Sequence, residues 1–293
     1  MSIARAAILV GLSLGALQAE AEEIPFRPNY WGFRERAVRA APMPGFQAHG
    51  MVQLDGAAGS RGSSNRDTAV PARSGLGPHP ANDSIYLRRG RLLGNWQLDE
   101  NHRIFAQIQY DTISNQTRLF DLFLESRLNQ DLTLSVGFLK PRFGWEALRS
   151  QANLNTVERS DLSEALRPIR DLGANLGFRN QHFQADLGLF SGQQENLGER
   201  NSTKDLVGRI AWLPDEHWVF GTSWQLGSFT PDSGREIPVS RLGLEFRSYW
   251  QPFALEAEYF WSSGYNKASR ADTRAQGFTV TGLCELSDQV DLV

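Results

Sequence analysis

Apolar and polar residues alternate with a period of two along most of the chain after about residue 119. In the stretch 171–179, apolar side chains stand at even positions, and glycine or polar residues stand at the odd ones. The stretches 183–189, 241–250 and 253–261 repeat this pattern. A period of two is that of a β-strand, whose side chains point alternately to opposite faces. The pattern predicts an all-β protein.

The alternation and its interruptions predict twelve strands and the start of a thirteenth at Val290. The second strand is the least regular, because Arg88, Arg89 and Arg91 break its alternation. In chain order the twelve strands cover residues 46–55, 84–97, 102–112, 117–128, 132–140, 170–180, 182–191, 204–213, 217–228, 240–250, 252–262 and 276–286.

The connections between the strands differ in length on the two sides. Those after even-numbered strands are a few residues long, as at 99–101, 129–131, 214–216 and 287–289. Those after odd-numbered strands are long, except at 113–116, and cover about 56–83, 141–169, 192–203, 229–239 and 263–275. Short turns on one rim and long loops on the other are typical of a transmembrane antiparallel β-barrel of the outer membrane. A secreted β-sandwich explains the alternation but not this asymmetry.

Composition and charge agree with a barrel. The 293 residues include 30 basic and 33 acidic ones, so no overall basic excess indicates a nucleic-acid partner. The mean hydropathy of -0.39 resembles that of a soluble protein. Strands with one lipid-facing and one lumen-facing side give the same average. The polar face carries both charge signs, and aromatic residues near strand ends suit interfacial girdles, as at Tyr110, Trp212, Trp218, Trp250 and Trp261.

The N-terminus has the pattern of an export signal. Arg5 precedes an apolar run over residues 6–17, and small residues flank a site near Ala21. We therefore predict a signal peptide at 1–21, a periplasmic lead segment at 22–45 and the barrel at 46–293. The prediction implies secretion across the inner membrane of a bacterium and insertion into outer-membrane lipid.

Signals of catalysis are weak. The five histidines are scattered, without the H-E-x-x-H spacing of zinc proteases, and the chain has no G-x-S-x-G elbow or phosphate-binding loop. The single cysteine, Cys284, excludes an internal disulfide and a multi-cysteine metal site. We predict no enzyme activity, no cofactor and no metal. A membrane-embedded phospholipase is the best enzymatic alternative, but no serine–histidine pair indicates it.

Several segments resemble the phosphate-selective porin O/P family of outer-membrane channels. The most specific is GFLKPRFGWE at 137–146, followed by ERS at 158–160. Others, in the family's order, are GMVQLD at 50–55, LRRGRL at 87–92, FD at 120–121, LEAEY at 255–259 and GFTV at 277–280. The resemblance implies a homotrimeric porin whose long third loop folds into the lumen and narrows it.

The resemblance also implies which side chains line the pore. Arg88 and Arg89 match the family's double arginine, and Arg159 matches its loop arginine. A guanidinium group holds an oxyanion by paired charge-assisted hydrogen bonds and keeps its charge. Lys140, Arg149, Arg167 and Arg170 are further candidates for anion binding. For each of these residues the alternative is a structural ion pair inside the barrel.

Departures from the family pattern argue against strict phosphate specificity. Met51 stands where the phosphate-specific members have an arginine, and the chain has only three lysines. The arginines of the third loop exceed its acids by one. We therefore expect a passive channel for small anions such as phosphate, with weak selectivity.

The C-terminus leaves two alternatives for closure. Family members continue for several more strands, and closure of a bacterial single-chain barrel needs an even strand number. Either twelve strands close and leave a loose tail, or the product is truncated with open edges. The functional alternatives are accordingly a non-conducting structural or surface-binding barrel, or a truncated non-functional porin fragment.

Overall fold

One antiparallel sheet dominates the fold. The computed structural model describes residues 5–13, 45–57, 84–112, 115–149, 154, 156, 159–192, 203–230, 234–266, 271–287 and 290–292. Within these residues each strand pairs with its neighbours in the chain, in the order β1 to β14. The strands are β1 Arg5–Ser13, β2 Gly45–Ala57, β3 Ser84–Gln97, β4 His102–Asp111, β5 Gln116–Arg127, β6 Leu132–Leu139, β7 Asp171–Arg179, β8 Phe183–Phe190, β9 Asp205–Trp212, β10 Trp218–Phe229, β11 Ile237–Trp250, β12 Phe253–Asn266, β13 Ala271–Ser287 and β14 Val290–Leu292.

The predicted strands are confirmed. The twelve segments correspond to β2–β13, and the thirteenth, expected at Val290, is β14. The main differences lie on the long-loop side, where β11 begins earlier, β12 ends later at Asn266 and β13 begins earlier at Ala271. Ser262 and Ser263 continue the ladder to β11 after the apolar alternation has stopped. Main-chain pairing does not require apolar side chains, so hydropathy alone underestimates these strands.

Charged side chains are buried and apolar side chains are exposed, which is the reverse of the arrangement in a soluble β-sandwich. In β11 the charged side chains Arg241, Glu245 and Arg247 are buried, whereas Leu242 and Leu244 are 40% and 48% exposed. β9 shows the same order, with Arg209 buried and Ile210 exposed. An apolar outer face and a charged inner face are the arrangement of a barrel wall in lipid. This pattern overturns the sandwich alternative.

Aromatic residues gather at the turn-side ends of β9–β11. The ring centroid of Trp218 lies 5.7 Å from that of Trp250 and 5.8 Å from that of Phe246. Trp212 and Phe220 are paired at 5.8 Å on the neighbouring strands. Aromatic rings at one rim of the sheet are typical of the membrane interface, where an amphipathic ring contacts apolar lipid on one side and water on the other.

The two ends of the sheet are separate in the described residues, where no pairing joins β1 to β14. The sheet is therefore not closed. β1 lies within the segment predicted as a signal peptide and pairs with β2 in this structure, while cleavage near Ala21 stays a prediction. The lead segment 22–45 lies outside the described residues, apart from Gly45.

The connection between β6 and β7 is the long third loop, and its described residues fold over the inner face of the sheet, as predicted. It carries two short helices, α1 Trp145–Leu148 and α2 Asp161–Leu166. Leu166 and Phe143 of the loop share an apolar core with Phe260 of β12, and Leu162 and Ala165 pack against it. Among the described residues, no helix has the length and apolar character needed to cross a membrane.

We expect Leu244→Arg to destabilise the folded protein in lipid by about 2–4 kcal/mol, because it places a charge in the middle of the outer face. The matched control, Leu128→Arg at the turn after β5, lies near the interface and is expected to cost about 0–1 kcal/mol. Denaturant unfolding in lipid vesicles measures both. Equal effects of the two substitutions would contradict the membrane-facing assignment.

Candidate functional site

A β-bulge brings both arginines of the double-arginine motif to the inner face. Along β2, Gln53 pairs with Arg89 and Leu54 pairs with Leu87, so Arg88 is an extra residue in β3. Consecutive residues of a regular strand point to opposite faces, and a bulge removes that constraint. Arg88 and Arg89 are accordingly both buried, at 5% and 7% exposure. The broken alternation in the sequence marked this bulge.

Arg91 extends the motif, and the sequence prediction missed it as a site residue. It lies two positions after Arg89 on the same face, and its guanidinium group donates to Oε1 of Gln109, at 2.9 Å from Nε. It also stands directly opposite Met51 in the ladder between β2 and β3. Arg91 on β3 is thus adjacent to Met51 on β2, the position at which the phosphate-specific family members have an arginine. The spacing Arg89–Arg91 was the signal that could have found it.

A second bulge lies in β5. Gln107 pairs with Asp121 and Ile108 with Leu119, which leaves Phe120 as the extra residue. The ring of Phe120 lies 4.1 Å from the guanidinium carbon of Arg170 and 5.3 Å from that of Arg91. Both distances are within the range of cation–π attraction. Phe120 is thus a second residue of the site that the sequence prediction did not single out.

Arg170, at the end of the third loop, is fixed to the same part of β5. Its Nε and Nη2 atoms donate to the two carboxylate oxygens of Asp121, both at 3.1 Å. This fork-to-fork pair sets the orientation of the guanidinium plane. Arg88 has a comparable partner in Asp111, with an Nη1–Oδ2 distance of 2.5 Å.

The remaining predicted cations of the third loop are held mainly by the loop itself. Arg159 donates to the carbonyl oxygens of Glu146, at 3.2 Å, and Arg149. Arg167 donates from Nη2 to both carboxylate oxygens of Glu164, at 2.8 and 2.9 Å. Lys140 donates from Nζ to the carbonyl oxygen of Ala147, at 2.8 Å.

The electrostatic interactions show that these side chains form one group. Burial lowers the pKa of Lys140 well below its ordinary value, and Arg170, Arg159 and Arg167 lower it further, opposed by Asp121. Burial and Arg167 likewise lower the pKa of Arg159 to about 10, against the attraction of Glu164. Arg91 interacts with Arg170, Arg89 and Arg159. We call the group the cation cluster; it comprises Arg89, Arg91, Lys140, Arg159, Arg167 and Arg170.

The guanidinium group of Arg149 is not part of the cation cluster, although the Arg149 carbonyl oxygen accepts a hydrogen bond from Arg159. Its Nη1 atom is 3.2 Å from both carboxylate oxygens of Glu256 on β12, and its guanidinium group lies 5.5 Å from the ring of Trp145. Burial lowers its pKa, and Glu256 is the largest opposing charge. The structure therefore brings five of the seven predicted residues together, places Arg88 beside them and places Arg149 on another wall.

The segment that carries Arg149 is anchored to the far side of the sheet. We call residues 143–149 the anchor segment. Gly144 donates its N–H to Oγ of Ser223 on β10, at 3.0 Å. Glu258 on β12 accepts the N–H groups of Trp145 and Glu146, the latter at 3.0 Å. The PRFGWE and LEAEY motifs of the sequence are thus in direct contact.

Among the residues that the structure describes, no group of three or more histidine, cysteine or acidic side chains is arranged to hold a metal ion. The chemistry available to the cation cluster is that of hydrogen-bond donation and positive charge.

Comparison with known proteins gives a family match. The family model of phosphate-selective porin O and P matches residues 78–230, just over half of the chain. That range includes every member of the cation cluster. No curated protein is significantly similar in sequence.

Several solved structures are similar to this chain, among them a porin and an outer-membrane protein. An anion-selective porin from Comamonas acidovorans is 13% identical, with 84% of this chain and 85% of that chain covered and a TM-score of 0.41. OccAB3 of Acinetobacter baumannii is 13% identical over 83% of this chain and 64% of that one, with a TM-score of 0.40. A loop L8 deletion mutant of OmpT from Vibrio cholerae is 8% identical over 71% and 84%, with a TM-score of 0.37.

The sheet has an apolar outer face, a charged inner face and a third loop folded against that inner face, which is the architecture of a porin. The family match covers the two bulges, the loop and the cation cluster. The chain is an outer-membrane porin and belongs to the phosphate-selective porin O and P family.

Proposed function

We propose that the protein is a passive channel for small anions, with weak selectivity. The observation that carries the proposal is the cation cluster, which β3 and the third loop assemble on the inner face. Phosphate is one anion of the expected size and charge. Removal of residues 1–21 after secretion and assembly as a homotrimer are further parts of the proposal.

The hydrogen bonds of the cluster support weak rather than tight binding. Arg170 and Arg167 are each paired with a carboxylate, Asp121 and Glu164, so part of their charge is compensated. Arg91 and Lys140 instead donate to neutral oxygens, those of Gln109 and the Ala147 carbonyl. Their charge is thus available to a passing anion. Several moderate sites in succession favour conduction, because an ion that binds too tightly at one site does not leave.

Rigid placement is the second requirement for selectivity. The arginines are supported by an aromatic ring, carboxylates and main-chain carbonyls, so they lose little side-chain entropy when an anion arrives. A guanidinium group carries a positive charge and offers five N–H donors in a fixed geometry. The inner face therefore presents fixed positive charge along the anion path.

We expect the wild-type protein in a planar bilayer to give a reversal potential on the anion side in a salt gradient. Arg91→Ala should lower the anion-to-cation permeability ratio by about twofold or more, because a fixed charge on the path is lost. The control is Arg274→Ala, which removes an exposed arginine from the outer face of β13, the face that also carries Phe278. A cation-selective wild type would refute the proposal, and an absence of conductance would favour the non-conducting barrel.

The pKa of Lys140 generates a separate prediction. The ordinary value is 10.5, and burial among Arg170, Arg159 and Arg167 lowers it. Lys140 therefore loses its charge at a lower pH than an exposed lysine does, so anion preference should fall with rising pH already below the ordinary lysine pKa of 10.5.

The same salt-gradient recording, repeated across pH, tests this prediction. Lys140→Arg keeps the charge and should make the anion preference independent of pH. Lys140→Gln should show, at every pH, the low anion preference that the wild type shows at high pH. A wild-type profile that Lys140→Arg leaves unchanged would assign the titration to another group.

A further inference from the structure

The inner face carries opposite charge on its two sides. Strands β3–β5 have six bases and three acids, whereas β7–β12 have four bases and six acids. The acids of β7–β12 are Asp171, Asp186, Asp205, Glu245, Glu256 and Glu258. An anion channel with this sheet therefore has one wall that attracts anions and one wall that attracts cations.

The anchor segment lies on the most acidic part of the second wall. We call Glu245, Glu256 and Glu258 the glutamate patch. Glu258 accepts two main-chain N–H groups of the anchor segment, and Glu256 pairs with Arg149. Glu245 contacts Arg247, whose guanidinium carbon lies 3.5 Å from the ring of Trp145. The anchor segment thus contacts Glu258 and Glu256 directly. Glu245 is instead paired with Arg209 and Arg247 of the sheet, and the segment reaches it only through the ring of Trp145 beside Arg247.

Local geometry holds the anchor segment close to the wall. Gly144 has a φ of 68°, in the left-handed region that favours glycine. A Cβ atom at this position would lie 2.6 Å from Cζ of Phe260 and 3.2 Å from Oε1 of Glu258. The ring of Phe143 contacts that of Phe260 at a centroid distance of 5.4 Å. The main chain of the anchor segment can therefore approach β12 this closely only because Gly144 has no side chain.

We propose that docking of the anchor segment determines the charge selectivity of the channel, by covering the glutamate patch. Gly144 and Ser223 are the positioning residues, since one permits the close contact and the other accepts a hydrogen bond within it. This inference rests on the proposed anion channel. It adds that the third loop shields the carboxylates of the glutamate patch in addition to narrowing the lumen.

The test uses substitutions that undock the segment without changing charge. Gly144→Ala places a methyl group where it would collide with the side chains of Phe260 and Glu258. Ser223→Ala removes the acceptor of the Gly144 N–H hydrogen bond and serves as a second, milder variant. The matched control is Gly234→Ala, which also has a positive φ, 81°, but has no atom within 4 Å of the added Cβ. Single-channel conductance and reversal potential are measured for each in planar bilayers.

Undocking should raise the conductance and shift the reversal potential toward cations, with an anion-to-cation permeability ratio lowered by about twofold. Addition of Glu256→Gln and Glu258→Gln to Gly144→Ala should restore the ratio while the conductance stays raised. Gly234→Ala should behave as wild type.

Two outcomes would overturn the inference. A raised conductance with an unchanged reversal potential would show that the glutamate patch does not affect permeating ions. An unchanged conductance in both Gly144→Ala and Ser223→Ala would show that these contacts do not hold the segment. A wild type without anion preference would refute the proposed function separately, because the inference concerns the shift relative to wild type.

Discussion

A strand that crosses a lipid bilayer must pair all of its main-chain polar groups within the protein, because hydrocarbon offers no hydrogen-bond partner. The continuous antiparallel ladder meets this requirement for β2–β13, which have a partner strand on each side, whereas β1 and β14 have a partner on one side only in the described residues. It also forces every strand to have one face toward lipid and one toward the interior. The charged inner face, the exposed leucines and the site itself all follow from that division.

The site lies where the ladder is irregular. A regular strand exposes only every second residue to the interior, so adjacent arginines in β3 could not both face inward. The bulge at Arg88 removes this limit, and the bulge at Phe120 places a ring beside Arg170 and Arg91. Local irregularities thus concentrate charge that a regular sheet would divide between the two faces.

The third loop connects the two walls of opposite charge. At one end Arg170 binds Asp121 on β5, and near the other Gly144 and Trp145 contact Ser223 and Glu258 on β10 and β12. The loop therefore spans the inner face and contributes four cations to the cluster, while the first turn of its helix α1 covers carboxylates. The charge on the inner face therefore depends on where the loop lies as well as on which residues it contains.

Much of the fold was determined by the sequence alone. The two-residue period and the loop asymmetry predicted the strands and their antiparallel order, because hydrogen bonding in lipid permits few arrangements of such a pattern. The inward third loop was expected from the resemblance to the porin family. Five of the seven predicted site residues do come together, since they lie on one strand face or in one loop.

Only the tertiary structure decided the rest. Arg91 stands beside Met51, Arg149 is directed to Glu256, and the motifs at 141–146 and 255–259 meet across more than one hundred residues of sequence. Register shifts and the path of a loop depend on contacts between distant segments, and no local pattern encodes them. For this reason the sequence indicated which charges are present, and the fold decided which of them act together.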